Sequence, residues 1–357
     1  MASSPTAVIS IGSKAPIKKA SGPLRLVLTR LGFLVSALFI VVTLSFFLVS
    51  VTPGDPAQLI AGPMATAEQI TQIRADLGLD EPILTRYVDY LGGLVQGDLG
   101  NSYFSKRPIV DELVEKLPAT LELVLLSVLF ATVVGVAAGA VGAYFKGRLP
   151  DKVSRFVTGV FQAIPDFFLG LILIYVVFFL LGLAPAPSGR VGLVETGPGR
   201  VTGSYLIDSL LAGDFALFVS AAHHLMLPVL TLGLVYAAYF AKTARSTIGK
   251  ALNSQQAQFA RAMGLPERTV VRYAFAESRT TIVTYAGVIF ASLLGGEAIV
   301  ERVFAWNGIG TWSLQGITKL DLPVVQGMVL VAGAITLIVY TLLDIIVGLL
   351  DPRISHA

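Results

Sequence analysis

The residue types that support covalent chemistry are few in this chain, and their spacing matches no catalytic pattern. The 357 residues include no cysteine and three histidines, His223, His224 and His356, without an HExxH or His-x-x-x-His spacing. Thiol nucleophiles, thiolate metal sites and disulfides are therefore excluded, and a zinc hydrolase is not indicated. No G-x-x-x-x-G-K-[ST] phosphate loop occurs either. If the protein depends on ATP, another chain must bind the nucleotide.

The composition predicts an all-α integral membrane protein. Hydrophobic residues make up 54% of the chain and charged residues 14%, whereas a soluble domain carries about 25% charged residues. A large soluble α/β protein is the alternative that this deficit of charge disfavours. The net charge is +3, and nothing resembles the arginine-rich, aromatic-interleaved surface of a nucleic-acid binder. We therefore expect the lipid bilayer, and no nucleic acid, as a partner.

Residues 255–279, here called the basic hairpin, are polar and basic within this apolar chain. The stretch 243–263 contains almost only helix-compatible residues. Gly264 then stands where a helix end favours a residue that tolerates positive φ. Pro266 and Glu267 suit the first turn of a new helix. The pattern predicts two helices that meet at Gly264, with a small apolar tip inside a basic surround.

Three roles are open to the basic hairpin. It is suited to anionic lipid headgroups, which attract basic segments next to a membrane. It is equally suited to a groove on a partner protein, into which an amphipathic helix can dock. A DNA-binding helix-turn-helix is the third role, which the close membrane attachment on both sides disfavours. Residue types alone do not decide between lipid and partner protein.

Six apolar stretches are long enough to cross a bilayer as helices. The predicted spans are about 31–51, 121–145, 157–183, 222–241, 280–298 and 323–348. Residues 1–22 have no apolar period and predict a disordered cytoplasmic tail. The transmembrane domain then covers residues 23–353.

The basic residues predict how these spans are oriented. The segments 1–30, 146–155, 242–279 and 349–357 together hold 17 of the 26 Lys and Arg residues. Lys and Arg concentrate on the cytoplasmic side of membrane proteins. We therefore expect both termini and the loop 242–279 to be cytoplasmic, and the loop 52–118 to be extracytoplasmic. This orientation requires an even number of spans, which six satisfies.

Asp166 follows Pro165 inside the predicted third span. A charge at that depth is costly, so it usually faces a pathway or a partner. Two interpretations stay open: a contact for a substrate amine, and a structural acid near a helix break or the inner interface. Glu297 and Asp344 lie near span ends, where we expect interfacial positions.

Three further patterns concern packing and the outer surface. Gly135, Gly139 and Gly142 form a small-residue stripe, which predicts close helix packing. Trp306 and Trp312 suit a membrane interface. Residues 185–202, rich in Pro and Gly, predict a flexible outer loop.

Short strings along the chain resemble one protein family. The string ARAMGLPER, residues 260–268, is similar to the EAA-type cytoplasmic loop of ABC-importer permeases. Further similar strings are VTPGDP at 51–56, GDLG at 97–100, RPIV at 107–110, LPATLE at 117–122, AIPDFF at 163–168, HLMLPVLTLG at 224–233, VFAWNGIG at 303–310, DLPVVQG at 321–327 and DPR at 351–353. Their number and order, over about residues 24–353, resemble the B-type permease subunit of the dipeptide, oligopeptide and nickel branch. The chain departs from that pattern at Gln258, Met263, Tyr273, Thr281 and Asn307.

The resemblance implies the transmembrane domain of a type I ABC importer, with six helices in the cytoplasmic (inner) membrane. It implies a second homologous permease subunit, two ATP-binding subunits and an extracytoplasmic substrate-binding protein. ATP and Mg²⁺ would belong to the ATP-binding subunits, and this chain would hold no cofactor and catalyse no reaction. The implied cargo is di- or oligopeptides, with nickel chelates, haem or other peptide-like solutes as alternatives. An ATP-independent channel or secondary transporter is the alternative from another class, for which Asp166 is the one candidate relay charge.

Candidate sites follow from the resemblance for the basic hairpin, and from the position of charged residues elsewhere. The ATPase-coupling residues that it implies are Phe259, Ala260, Arg261, Gly264, Leu265, Glu267 and Arg268. Pro165 and Asp166 are the candidates for the translocation pathway. The outer loop 185–202 is placed to meet the binding protein, with Arg190, Glu195 and Arg200 as candidate contacts.

Overall fold

The computed structural model describes residues 23–51 and 54–350, and the regular elements of that part of the chain are helices. They are α1 (Pro23–Ser50), α2 (Pro56–Ala61), α3 (Ala67–Asp76), α4 (Ile83–Val95), α5 (Ile109–Tyr144), α6 (Leu149–Ala163), α7 (Asp166–Leu173), α8 (Tyr205–Leu211), α9 (Phe215–Leu252), α10 (Gln255–Ala262), α11 (Glu267–Gly296), α12 (Ala298–Val303), α13 (Ile309–Lys319) and α14 (Leu322–Leu350). A π-helical stretch, Ile174–Leu180, continues α7. The tail predicted for residues 1–22 lies outside the described residues.

The centre of the fold is the pair of long helices α5 and α9, which contain 36 and 38 residues. They approach closely because α5 presents glycines to α9. A Cβ atom on Gly135 would lie 2.5 Å from the carbonyl oxygen of Ala237, and one on Gly139 would lie 2.5 Å from that of Ala241. The glycine stripe therefore serves close helix packing, as predicted. Helix α11 packs on both α9 and α5, while α14 packs on α11 and α1.

Three of the described helices are each long and apolar enough to cross a membrane: α5, α9 and the stretch Leu322–Gly348 of α14. Helices α6 and α7 with its π-helical continuation pass the same test together, but they bend by 101° at the break between them. Helix α1 is apolar over Val35–Leu48. The number of six spans stays a prediction.

The predicted span 157–183 is therefore not one straight helix. Its first part belongs to α6, which ends at Ala163, and Pro165 precedes the first residue of α7. The backbone of Ile164 is extended, with ψ 125°, because a residue before proline is driven away from helical angles. Pro165 also lacks the N–H that a continuous helix would use. The apolar run indicated a membrane segment but not this change of direction.

The two tryptophans are buried in the protein and do not face lipid headgroups. The Trp306 indole N–H donates to the carbonyl oxygen of Ala119 at 2.8 Å. The Trp312 indole N–H donates to the carboxylate of Glu112 at 2.7 Å. Both bonds tie the segment before α14 to the first turns of α5. They fix the position of the segment 306–312 against α5.

Candidate docking surface, pathway cavity and outer loop

The basic hairpin consists of α10, a tight turn and the start of α11. The helix-compatible stretch 243–263 is divided between two helices, because α9 ends at Leu252 and α10 begins at Gln255. Ser254 causes the break by capping α10: its hydroxyl accepts a hydrogen bond from the backbone N–H of Ala257 at 3.2 Å. The turn after α10 places Gly264 at φ +76°, as the sequence predicted.

One arginine holds this turn closed. The guanidinium of Arg261 donates two hydrogen bonds to the carboxylate of Glu267, at 3.0 and 2.8 Å. A third bond, of 2.8 Å, goes to the carbonyl oxygen of Leu252 at the end of α9. The bonds from Arg261 lower the pKa of Glu267 below its usual value. Arg261 and Glu267 therefore join α9, α10 and α11 into one unit.

The inner face of the hairpin is built from small apolar side chains. Ala257 and Ala260 of α10 are buried with Val270 and Ala274 of α11, in a cluster that also includes Ala143 of α5 and part of α9. Ala260, a predicted coupling residue, thus points into the protein rather than outward. Because three long helices share this cluster, the hairpin is attached firmly to the membrane domain.

The solvent-exposed face of the basic hairpin carries larger apolar side chains. Phe259 is 68% exposed and Met263 67% exposed, and Leu265 beside them is exposed as well. These three side chains, here called the apolar knob, have Arg268 and Arg272 exposed next to them in the chain. Met263 was absent from the predicted coupling residues, although it stands four positions after Phe259, on the same helix face. The arrangement suits a partner with an apolar groove and acidic edges.

Asp166 lines a cavity of about 520 Å³ between α6, α7, α9 and α11. Tyr236, Tyr239 and Tyr285 contribute to the same cavity. Asp166 accepts a hydrogen bond from the backbone N–H of Phe167 at 2.7 Å. The structure thus places Asp166 at a break between helices and at the edge of a polar cavity, so both of its open interpretations still apply.

Glu297 is a second acid beside this cavity, which sequence reasoning missed. It is buried rather than interfacial, and its carboxylate accepts a hydrogen bond from the Tyr236 hydroxyl at 3.0 Å. Its carboxyl group also interacts with that of Asp166. The two acids are 131 positions apart in the chain, and no local pattern joins them. Among the described residues, no group of three or more acids and histidines is arranged to hold a metal ion.

The outer loop 185–202 is held to the protein, mainly through Arg190. This guanidinium pairs with the carboxylate of Glu122 at 2.6 Å and lies 3.6 Å from the ring centroid of Tyr205. Its side chain is only 11% exposed. Arg190 therefore acts inside the protein, whereas Leu193 and Val194 at the loop tip are 88% and 99% exposed.

The other two candidate contacts of the outer loop, Glu195 and Arg200, are exposed and also form hydrogen bonds within the protein. Glu195 accepts hydrogen bonds from the backbone N–H of Gly192 and from the hydroxyl of Ser220. These bonds, with Ser220 contributing most, lower the pKa of Glu195. Arg200 donates to the carbonyl oxygen of Val114 on α5. Both side chains thus shape the loop while remaining on its surface.

Comparison with known proteins shows similarity over nearly the whole chain. Residues 131–356 match the family model described as binding-protein-dependent transport system inner membrane component, and residues 23–124 match the model of its N-terminal part. The chain is 36% identical to a di/tripeptide transport system permease protein of Pseudomonas aeruginosa over 329 residues, which cover 92% of this chain and 97% of that protein. It is 34% identical to a glutathione transport system permease protein of Escherichia coli over 334 residues, 93% of this chain and 99% of that protein. The solved inward-facing MetNI methionine ABC transporter aligns with a TM-score of 0.47 and 19% identity, over 67% of this chain and 96% of that chain.

Proposed function

This chain belongs to the family of binding-protein-dependent transport system inner membrane components, and from that membership we propose that it is the pore-forming permease subunit of an ATP-driven peptide importer. The observation that best supports this proposal is the 36% sequence identity to a di/tripeptide permease over 92% of the chain. The proposed cargo is di- or oligopeptides, moved across the cytoplasmic membrane. Nickel chelates, haem and other peptide-like solutes are the alternatives that a transport assay distinguishes.

In this proposal the basic hairpin is the contact for an ATP-binding subunit, and a second permease subunit presents an equivalent hairpin to the other. The apolar knob, exposed and adjacent to basic side chains, supports docking into a partner groove. The absence of a phosphate loop supports a separate site for ATP and Mg²⁺. Closure of the ATP-binding subunits would move the hairpins and, with them, the helices that share their buried cluster.

We place the translocation pathway at the cavity beside Asp166. The α-ammonium group of a peptide is a cation, and Asp166 with the neighbouring Glu297 supplies carboxyl groups that can receive it. The three tyrosines of the cavity add ring faces and hydroxyls, which suit the peptide backbone and side chains. On the outer side, the exposed tip at Leu193 and Val194 is the proposed contact for a substrate-binding protein.

Reconstitution with partner subunits tests the proposal. The chain, its second permease and the ATP-binding subunits that co-purify with it are placed in liposomes with the binding protein outside. We expect dipeptide-loaded binding protein to stimulate ATP hydrolysis and dipeptide uptake together. Uptake that continues with hydrolysis-deficient ATP-binding subunits would contradict an ATP-driven importer. Stimulation by a nickel chelate or haem, and not by peptides, would replace the proposed cargo while keeping the proposed machine.

A further inference from the structure

An apolar groove of about 790 Å³ runs along the outer end of α5. One wall is the face of α5 that carries Val114, Leu121 and Leu125, and the other is the segment 200–207. The groove is separate from the cavity beside Asp166, with which it shares no lining residue. Neither the basic hairpin nor the loop tip at 193–194 contributes to it. We call it the outer groove.

The two walls of the outer groove are fastened to each other at three levels. At the first level, Arg200 donates to the carbonyl oxygen of Val114. At the second, Gly203 lies so close to Pro118 that a Cβ atom on the glycine would be 2.6 Å from the proline ring. At the third, the Ser204 hydroxyl donates to the carboxylate of Glu122 at 2.6 Å. The segment 200–207 thus runs beside α5 for about two turns, and these contacts hold the two walls of the outer groove in place.

The apolar wall continues from the outer groove towards the middle of the membrane. Leu121 and Leu125 are followed on the same helix face by Leu129 and Val133, which are exposed. These four positions are four residues apart, so they form one stripe along α5. The predicted boundary of this span lies at residue 121. The outer groove therefore starts above the boundary and opens below it onto an apolar surface.

A cation stands at the upper end of the outer groove. Arg200 is exposed and forms no salt bridge with any residue in the described part of the chain. A guanidinium binds phosphate with directed hydrogen bonds, and basic side chains at a membrane surface attract anionic lipid headgroups. The order from water to membrane is thus a cation without a carboxylate partner among the described residues, then hydroxyl groups, then an apolar wall.

From this order we propose that the outer groove binds one phospholipid of the outer leaflet, with its phosphate at Arg200 and an acyl chain along Leu121 and Leu125. A membrane helix of the second permease is the competing occupant. It fits less well, because it would press apolar side chains against the Arg200 guanidinium and supply no negative charge to pair with it. A phospholipid satisfies both ends of the groove at once.

Native mass spectrometry of the complete, delipidated transporter tests the proposal, with dioleoylphosphatidylglycerol and dioleoylphosphatidylcholine added separately. We expect the wild type to retain phosphatidylglycerol about fivefold better, the effect of one basic residue beside a lipid of net negative charge, since the choline cation offsets the phosphate of phosphatidylcholine. Arg200→Gln should abolish that preference. Leu125→Trp fills the groove and should lower retention of both lipids, whereas Leu129→Trp, one turn further along the same stripe, should leave it unchanged. Equal retention in Leu125→Trp and Leu129→Trp would overturn the proposal.

A second measurement decides the case if Leu125→Trp does not assemble. The chain contains no cysteine, so Leu125→Cys can carry a single benzophenone maleimide in native membranes. On illumination we expect an adduct with the mass of a phospholipid. An adduct with the second permease instead would show that a protein covers the outer groove, and the lipid site would be rejected.

Discussion

At the scale of single residues, a buried carboxylate joins α6 to α9. Asp151 at the start of α6 accepts hydrogen bonds from Arg245 of α9, at 2.6 and 3.1 Å, and from the backbone N–H of Gly147 at 2.9 Å. The Arg245 guanidinium contributes most to lowering the pKa of Asp151 to about 2. This folded-state pKa lies below the usual value of an aspartate, near 3.9. The carboxylate therefore stabilises the fold above about pH 4, and its contribution disappears as the pH falls through about 2.

Asp151→Asn should destabilise the protein by about 3 kcal/mol, because it leaves Arg245 without its charged partner in a largely enclosed site. Thermal unfolding of the purified transporter measures the loss. Asp89→Asn, at an exposed position of α4, is the matched control and should change little. The difference between wild type and Asp151→Asn should be constant from pH 5 to 8 and shrink below about pH 4. A difference that grows on acidification would show that the ion pair is not its source.

A second prediction at this scale concerns the apolar knob and its binding to the ATP-binding subunit. Phe259→Ala should weaken binding of the ATP-binding subunit by about 2 kcal/mol, the size expected for a central aromatic contact of an interface. Because Phe259 is mostly exposed, the unfolding temperature of the isolated permease should not change. Met64→Ala removes an apolar side chain that is even more exposed, at 96%, from the predicted loop 52–118, and serves as the control. Normal retention of the ATP-binding subunit by Phe259→Ala would exclude the knob as the docking contact.

At the scale of elements, the distance between α5 and α9 depends on glycines. Gly139→Ala would bring a Cβ atom within 2.5 Å of the Ala241 carbonyl oxygen and 2.8 Å of the Ala244 side chain. The helices must separate, which should cost about 1–3 kcal/mol, as overpacking does elsewhere. Gly159→Ala, in α6 with no neighbouring atom within 4 Å, should be neutral or slightly stabilising. Unfolding in detergent compares the two, and equal effects would mean that the close approach does not carry stability.

Local signals predicted some joints between elements and missed others. Gly264 and Pro266 were sufficient to predict the turn of the basic hairpin, since positive φ and a missing N–H are properties of single residues. The break at Ser254 was missed because the residues around it are all compatible with a helix. Its one signal was the capping residue itself. The 101° bend at Pro165 was missed because apolar runs indicate burial in a membrane but carry no direction.

Local sequence signals likewise predicted some residues of the candidate sites and missed others. Asp166 was found because a charge inside an apolar run stands out by itself. The interaction of Glu297 with Asp166 and the pairing of Arg190 with Glu122 join residues that are distant in the chain. Such pairs arise from tertiary packing, which composition and spacing do not reveal. For the same reason Ala260 was assigned to an outer surface that the fold turns inward.

At the scale of the whole molecule, orientation in the membrane is open to a direct test. Because the chain has no cysteine, single cysteines at the exposed positions Glu68 and Gln256 report on the two sides. In intact cells or spheroplasts a membrane-impermeant maleimide should label Glu68→Cys and should label Gln256→Cys only after lysis. The opposite pattern would invert the predicted topology and place the basic hairpin outside.

Transport through the whole molecule depends, in our proposal, on Asp166. Asp166→Asn should reduce uptake of dipeptides about tenfold, corresponding to a lost contact of about 1.4 kcal/mol. Uptake of N-acetylated dipeptides, which lack the ammonium group, should be affected much less, and binding of the ATP-binding subunits should persist. Equal loss for both peptide types would assign Asp166 a structural role at the helix break.

The attachments of α6 have a mechanical consequence. Asp151 fastens the first turn of α6 to α9, and the side chain of Gln162 donates to the carbonyl oxygen of Ala238 at 3.0 Å near its other end. Helix α6 is thus hydrogen-bonded to α9 near both of its ends. Helix α9 in turn shares a buried apolar cluster with the basic hairpin. The extended residue Ile164 follows the second of these attachments directly. If ATP-binding subunits move the basic hairpin as we propose, we expect α7 to turn about Pro165, directly beside the cavity that Asp166 lines.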